Sequence, residues 1–392
     1  MFKAYKYRLY PNKERKNLID QHIGSCRYIY NYMLDLKIEA YKKDKTSLSA
    51  YDLMKLRPDH EWLDNINKQS LNQAILNMDS AFKNFFKSGK GFPKFKAKNH
   101  STQSYTVMKQ GIKVDFDNNK IKLAKVKQPI RCKYSRIFEG KVKQATISKS
   151  KTNKYFISIL VDIEKEVPKK LKVNRENSIG IDVGIKNYIA TSRGEIVEGI
   201  RFLREKLKRI KVLQRRLRKK KKGSNNIRKE YDKLAKLHEQ AVNMKRDFIH
   251  KLTSRIVHEN QGAIVVEDLN ILGMVKNRKL SLAIMDVSWG EFFHQLEYKY
   301  EWYGRTFVKI DRWYPSSKTC NKCKHVNRKL ELKDRDWVCI CSELLDRDIN
   351  AGSNILDEGL RILLQSGEGI SPVVLVEMSS LDESVKQEGS LI

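Results

Sequence analysis

The chain has 392 residues, room for two or three domains and a sizeable core, and sets 79 Lys and Arg against 46 Asp and Glu, a formal charge of +33. A field of that size suits a polyanion, and with 9% aromatic residues nucleic acid is the partner it fits, since a solubilising surface needs only a few net charges. No apolar run reaches the roughly eighteen residues of a membrane span, and Met1–Tyr10 lacks the apolar centre of a secretion signal, so the sequence excludes a membrane partner and predicts a cytoplasmic protein.

Residues 2–10 (FKAYKYRLY) read as a strand with basic and aromatic side chains interleaved, which offers Lys3, Lys6 and Arg8 to nucleic acid; Pro11 and Asn12 end it. Helical spacing follows from Leu18 through Leu36, and a second helix is predicted over residues 68–87, stopping before Gly89. The loop GKGFPKFKAKN mixes Lys94 and Lys96 with Phe92 and Phe95, so that rings can stack while amines meet phosphates, although rings in such a loop also serve as anchors. From Ser104 to Glu164 the pattern switches to strands with Asn- and Lys-rich hairpin turns. With the opening strand this makes about six, and the economical reading is a small β-barrel interrupted by a helical insertion. The stretch 164–177 is the most linker-like segment.

A second strand pair begins at Ser178: Ile179, Ile181 and Val183 alternate around Asp182, and Tyr188–Thr191 resumes an extended run. Residues 201–260 predict a long helical hairpin turning at GSNN, with Leu203, Leu207, Ile210, Leu213 and Leu217 on one seam and Leu234, Leu237, Ala241, Met244, Phe248 and Leu252 on the other. Residues 201–222 hold thirteen Lys or Arg and one Glu; solvated faces mix signs, so Arg215, Arg216, Arg218, Lys219, Lys220, Lys221 and Lys222 are candidate phosphate contacts. AIVVEDLN is a buried strand delivering Glu267 and Asp268 at its end, and LLDRDINAGSNIL places Asp346 and Asp348 at the start of a helix, where negative charge is favoured. An acid mid-strand, one ending a strand and one opening a helix are what phosphodiester hydrolysis requires if they converge, holding two Mg²⁺ roughly 4 Å apart.

These motifs have an order that is specific. GIDVGIKN, the basic hairpin, VVEDLNILGM with SWGEFFHQLEYKYEWYG, SSKTCNKC and DRDINAGSNI resemble the RuvC-like nuclease of TnpB, the transposon-encoded relative of type V CRISPR effectors. KAYKYRLYPN, GSCRYIYN and GFPKFKAK resemble that family's amino-terminal half. The resemblance implies an α/β multidomain protein: a wedge β-barrel over 1–12 and 100–172, an inserted helical recognition domain over 13–99, an RNase H-like (RuvC) nuclease over 173–314 and 345–365, and a zinc-ribbon insertion over 315–344. It implies Asp182, Glu267 and Asp348 as catalytic acids and Mg²⁺ ligands, with Asp346 as a capping or structural acid. It further implies a guide RNA from the transposon end, a short transposon-adjacent motif, cleavage of double-stranded target DNA, a monomer in complex with RNA, and a prokaryotic cytoplasm with nucleoid association on DNA.

Cys320-Asn-Lys-Cys323 is a thiolate pair suited to one side of a tetrahedral Zn²⁺, and Cys339-Ile-Cys341 is the second pair, one residue shorter than usual. Lys324 stands where the family has a Gly. A structural four-Cys zinc site is the preferred reading of this cluster, over three ligands or a metal-free loop, in a compartment that does not form disulfides. Cys26 and Cys132 are isolated. Residues 366–392 are acidic, net −4, which leaves +37 on the rest, and they read as a disordered tail. An RNA-guided DNA-binding protein impaired in cleavage, repressor-like, is the alternative function; a single-strand transposase would need a His-hydrophobe-His and Tyr arrangement that the sequence does not supply.

Overall fold

The computed structural model describes residues 1–98, 103–199, 202–331 and 333–367, with 202–205 described by their backbone. The predicted acidic tail lies outside the described residues apart from its first two positions. Two compact units divide at Lys165/Glu166, inside the stretch read as a linker.

The first unit opens with strand β1 (Phe2–Tyr10), whose odd positions Tyr7 and Leu9 are buried while Phe2, Lys6 and Tyr10 face out. Asn12 caps helix α1 (Lys13–Asp44) by accepting from the Arg15 amide, and α2 (Ala50–Lys55), α3 (Glu61–Asp64) and α4 (Lys68–Ser88) follow, the last ended by Gly89 in the left-handed region. Six more strands then complete an antiparallel sheet: β2 (Gln103–Met108), β3 (Ile112–Asp115), β4 (Lys120–Leu123), β5 (Ile130–Lys133), β6 (Lys141–Lys149) and β7 (Tyr155–Asp162). Their order is β2-β6-β7-β1-β5-β4-β3. The edge strands β2 and β3 are joined through one turn of 3₁₀ helix at Lys109–Gly111, so the sheet nearly closes into a barrel. The helices and the barrel share one continuous core, in which Ile23, Met33, Ile75 and Met78 meet Val107, Ile147 and Ile157. The insertion therefore relies on the barrel for its packing.

The second unit is built on strands β8 (Ile179–Val183), β9 (Asn187–Thr191), β10 (Ile196–Glu198), β11 (Ala263–Glu267) and β12 (Thr306–Ile310) in the order β10-β9-β8-β11-β12. The first three pair antiparallel, and β8, β11 and β12 run parallel. Between β10 and β11 stands the predicted hairpin, α5 (Phe202–Arg218) and α6 (Asn225–Glu259). Ile210, Leu213, Leu217, Ala241 and Leu252 are buried in its seam as expected, but Met244 is 42% exposed. Short helices α7 (Ile271–Met274) and α8 (Ser281–Val287) and the longer α9 (Trp289–Trp302) lead to β12; a hairpin of β13 (Asp336–Val338) and β14 (Leu344–Asp346) precedes α10 (Arg347–Ser366).

Strand alternation assigns the two sheet faces. Ile179, Ile181, Ile264 and Val266 pack against α6 and α9, whereas Ala263, Val265, Val308 and Ile310 pack against Ile355, Leu356 and Leu360 of α10. Among the described residues no helix is long and apolar enough to cross a membrane.

Contact between β8 and α10 is close because both lack side chains where they cross. A Cβ on Gly180 would lie 2.1 Å from the carbonyl oxygen of Gly352 and 2.6 Å from the amide nitrogen of Leu356, both backbone atoms that cannot swing aside. Gly180→Ala should therefore force helix and sheet apart and cost about 1–3 kcal/mol. Gly24→Ala, in α1 with no atom within 4 Å of the added carbon, should be neutral or gain up to about 1 kcal/mol. Four of the five tryptophans lie in the second unit, so fluorescence-monitored denaturation reads this comparison; equal midpoints would contradict the close packing.

Candidate active site

Parity puts the acids together. Gly180 and Asp182 share the α10 face of β8, and Glu267 shares the α10 face of β11 with Ala263 and Val265. The strands pair in parallel through Val266↔Ile181, so Glu267 and Asp182 come next on neighbouring strands. Helix α10 begins over this point: Asp346 is its N-cap, its Oδ1 accepting from the amides of Asp348 and Ile349 at 2.9 Å each, which leaves the Asp348 carboxylate free to turn inward. Asp182, Glu267 and Asp348 line one open cleft of about 230 Å³ together with Lys186, Asn187, Ser316, Ser317, Arg335 and Arg347. Asp268 points elsewhere, to Arg312 at 2.5 Å.

The electrostatics follow from that convergence. Burial first, and then the charges of Glu267 and Asp348, push the Asp182 carboxyl well above its ordinary range, against smaller opposing effects of the Val183 amide and Arg347. Burial likewise raises Glu267, opposed by the Ser316 hydroxyl, which donates to Glu267 Oε1 at 2.5 Å. Asp348 is held by Asn187 Nδ2 at 2.9 Å on Oδ2 and by Arg335 Nη1 at 3.0 and 3.2 Å. Crowded carboxylates of this kind are a ligand set for hard cations with oxygen coordination, and Mg²⁺ fits them.

Arg335, Ser316, Asn187 and Arg347 line the cleft of the three acids, and motif reading did not single them out. Ser316 and Arg335 belong to the cysteine-bearing segment, so their approach to Glu267 and Asp348 depends on how that segment docks. Docking is through an amide ladder on α10. Asn350 Nδ2 donates to Thr319 O at 2.7 Å, Asn354 Nδ2 to Ser316 O at 2.8 Å and Thr319 O at 2.6 Å, and Asn321 returns bonds to Asn350, Asn354 and Asp357. The i, i+4, i+7 spacing of Asn350, Asn354 and Asp357 was the available signal.

Cys320, Cys323, Cys339 and Cys341 place their sulfurs within 4.8 Å of one another, with Cys320–Cys341 at 3.8 Å and Cys323–Cys339 at 3.5 Å. A tetrahedral ion with bonds of roughly 2.3 Å separates its sulfurs by about 3.8 Å, so the four thiols fit Zn²⁺ despite the shortened pair. Cys320 and Cys339 are buried beside Leu330 and Trp337, and the other two are exposed. Lys324 stands at φ 59° and Ser342 at φ 64°, the left-handed conformation that a Gly would adopt at less cost. Lys324 has a compensating contact: its Nζ lies 2.8 Å from Asp357 of α10.

The predicted nucleic-acid residues separate into kinds. Lys6 and Arg8 share the outer face of β1, each 4.9 Å from the Phe156 ring, whereas Lys3 has the opposite parity and burial lowers its pKa. Lys94 is exposed, while Lys96 is half-buried over the Tyr30 ring at 3.8 Å. Phe92 is an anchor, edge-on to Phe82 and Phe85 at 5.4 Å. Arg215, Arg216 and Arg218 are on the exposed face of α5, and Lys219–Lys222 form the turn after it.

Comparison with known proteins gives three family matches: OrfB_IS605, described as "Probable transposase", over residues 158–278; "Cas12f1-like, TNB domain" over 289–355; and "Helix-turn-helix domain" over 1–46. A Streptomyces pristinaespiralis protein named "Putative RNA-guided DNA endonuclease" is 34% identical over 378 residues, 94% of this chain and 92% of its own. The chain belongs to the OrfB/TnpB family. InsQ of Escherichia coli (strain K12), which bears the same description, is 29% identical over 92% of this family member and 93% of InsQ. A Cas12f1–sgRNA–target DNA complex shares the fold at a TM-score of 0.55 and 16% identity, over 88% of this chain and 83% of that one. In this member residues 1–46 form one strand and one long helix rather than a helix-turn-helix.

If the sulfur cluster is a zinc site, purified protein should contain about one zinc per chain, and Cys320→Ser should lower both zinc content and thermal stability. Inserting one residue between Cys339 and Cys341 should raise resistance to chelators if the short pair is a strained ligand set. Elemental analysis and chelator titration check both; protein that is folded and zinc-free would refute the site.

Proposed function

We propose that this protein is an RNA-guided DNA endonuclease of a transposon, which binds a transposon-end-derived guide RNA, recognises a short transposon-adjacent motif and cleaves target DNA at the Asp182, Glu267 and Asp348 cleft. The observation that carries this reading is the convergence of the three acids, from a strand centre, a strand end and a helix start, in one open cleft of a chain with a charge of +33. The names of the relatives and the fold shared with the Cas12f1 complex support the general activity. The β10-β9-β8-β11-β12 order, with three antiparallel strands followed by two parallel ones, supports an RNase H-like, RuvC-type assignment.

Asp182, Glu267 and Asp348 would hold two Mg²⁺, which when bound supply an activated water and stabilise the leaving oxygen. The protein's own groups prepare the site. Ser316 fixes the rotamer of Glu267 through Oε1, and Asn187 orients Asp348 through Oδ2. Arg335 and Arg347 offset the crowded negative charge; Arg335, 46% exposed at the rim, can also meet a phosphate of the entering strand. The cysteine segment would be a zinc ribbon whose metal is structural, since four thiolates leave no position for water. The barrel and its helices would be the wedge and recognition parts, the protein acting as a monomer on guide RNA and duplex DNA in a prokaryotic cytoplasm. Binding without cleavage is the weaker reading, because no acid of the set is missing or turned away.

Asp182→Ala, Glu267→Ala and Asp348→Ala should each abolish Mg²⁺-dependent cleavage while guided binding persists, and Asp346→Ala, which removes a cap, should cost about 1 kcal/mol of stability with a milder loss of cleavage. Cleavage and gel-shift assays on the purified RNA complex decide this. Robust cutting by any of the first three would show that the acid was wrongly assigned.

A further inference from the structure

Within the first unit, α1, α4, the chain at Lys96 and β2 enclose a second pocket, of about 50 Å³ and open to solvent. Arg27, Lys96, Ser70, Asn77 and Tyr105 line it, and among the described residues none that lines it is an Asp or Glu. Two of its hydroxyls, Ser70 Oγ and Tyr105 Oη, are buried and have no hydrogen-bond partner, although Tyr105 is only 3% exposed. Leaving such groups unpaired is unfavourable, and a ligand with acceptor oxygens would remove that cost.

Charge points the same way. Lys96 lies over the Tyr30 ring, and burial lowers its pKa; the Cys26 thiol beside it is pushed up to about 12, so it supplies no negative charge at neutral pH. Arg27 Nη1 donates to the neutral side-chain amide of Gln103, through Oε1 at 3.1 Å, and pairs with no carboxylate among the described residues. Asn77 accepts from Gln73 through Oδ1, which leaves its NH₂ able to donate. Two cations and three neutral donors, and no carboxylate among the described residues, therefore surround this space. At roughly 10–15 Å³ per water, it holds a few waters or the non-bridging oxygens of one phosphate; a nucleobase is too large for it.

We propose that this pocket is an anion site that takes one backbone phosphate of the bound nucleic acid, gripped by Arg27 and Lys96 and oriented by Ser70 and Tyr105. The assignment of a nucleic acid as the source rests on the function proposed above, but its test reads binding and not cleavage, so the two can fail separately.

The test uses the full chain and its Lys96→Gln and Tyr105→Phe variants. Affinity for a short RNA hairpin and for a DNA duplex is measured across a salt series, and thermal unfolding is followed with and without inorganic phosphate at matched ionic strength. Lys96→Gln should reduce the salt slope by about 0.7–0.9 for one of the two polymers, the signature of one lost phosphate contact. Tyr105→Phe should weaken that polymer's binding roughly tenfold with the slope unchanged, while the ligand-free variant unfolds no lower than the parent, because an unpaired buried hydroxyl has been removed. A purely structural role for Tyr105 predicts the stability result without the affinity result, and unchanged affinity and slope for both polymers would overturn the proposal. Phosphate stabilisation that is lost in Tyr105→Phe, without any change in polymer binding, would also overturn it and identify a free-phosphate site instead.

Discussion

Like charge forced into a small space is the constraint on which the second unit is organised. Strand alternation gives Asp182 and Glu267 no choice of face once Ile179, Ile181, Ile264 and Val266 are committed to the α6 and α9 side. Helix α10 then brings Asp348 to the same cleft, and the sheet can accept it so closely only because Gly180 and Gly352 meet without side chains. Burial and the neighbouring acids together push the Asp182 carboxyl upward, which means that the metal-free fold holds this group at a cost. A site kept under such strain is one that a bound cation relieves.

The cysteine segment has a part in that site. Its thiols fit one tetrahedral ion, and its base is clasped by Asn350, Asn354 and Asp357, three positions on one face of the helix that presents Asp348. Ser316 reaches Glu267 and Arg335 reaches Asp348 from this segment. A defect in the sulfur cluster is therefore transmitted to the acids by hydrogen bonds a few residues long. The shortened Cys339–Cys341 pair and the left-handed Lys324 place some local strain in the segment, and the Lys324–Asp357 contact anchors the turn that carries it.

Much of this was legible in the sequence, for physical reasons that can be named. Period-two alternation located β8, a short continuous apolar run located β11, the family pattern set Asp346 apart as a capping or structural acid, and two cysteine pairs within 22 residues pointed to the thiol cluster that the fold brings together. The Asn-rich hairpin turns also appear, with Asn119 and Asn153 at positive φ. Other features were hidden because they depend on three-dimensional proximity. Gly180 looked like an ordinary strand residue until the helix was laid against it, Arg335 was one cation among many, and Met244 obeyed the helical spacing yet faces solvent. Lys3, Lys6 and Arg8 read as one basic strand, but alternation places Lys3 on the other side. The barrel gained a seventh strand, β5, because its four residues, Ile130–Lys133, carry too short a pattern to read.

The most direct test of the account asks whether Asp182 trades stability for cation binding. Thermal unfolding of the parent and of Asp182→Asn is compared in chelator and in Mn²⁺. The account predicts that Asp182→Asn unfolds at or above the parent's temperature without metal, since a crowded buried charge is gone, and that Mn²⁺ raises the parent's midpoint much more than the variant's. A variant that is destabilised without metal, yet stabilised by Mn²⁺ as fully as the parent, would contradict it.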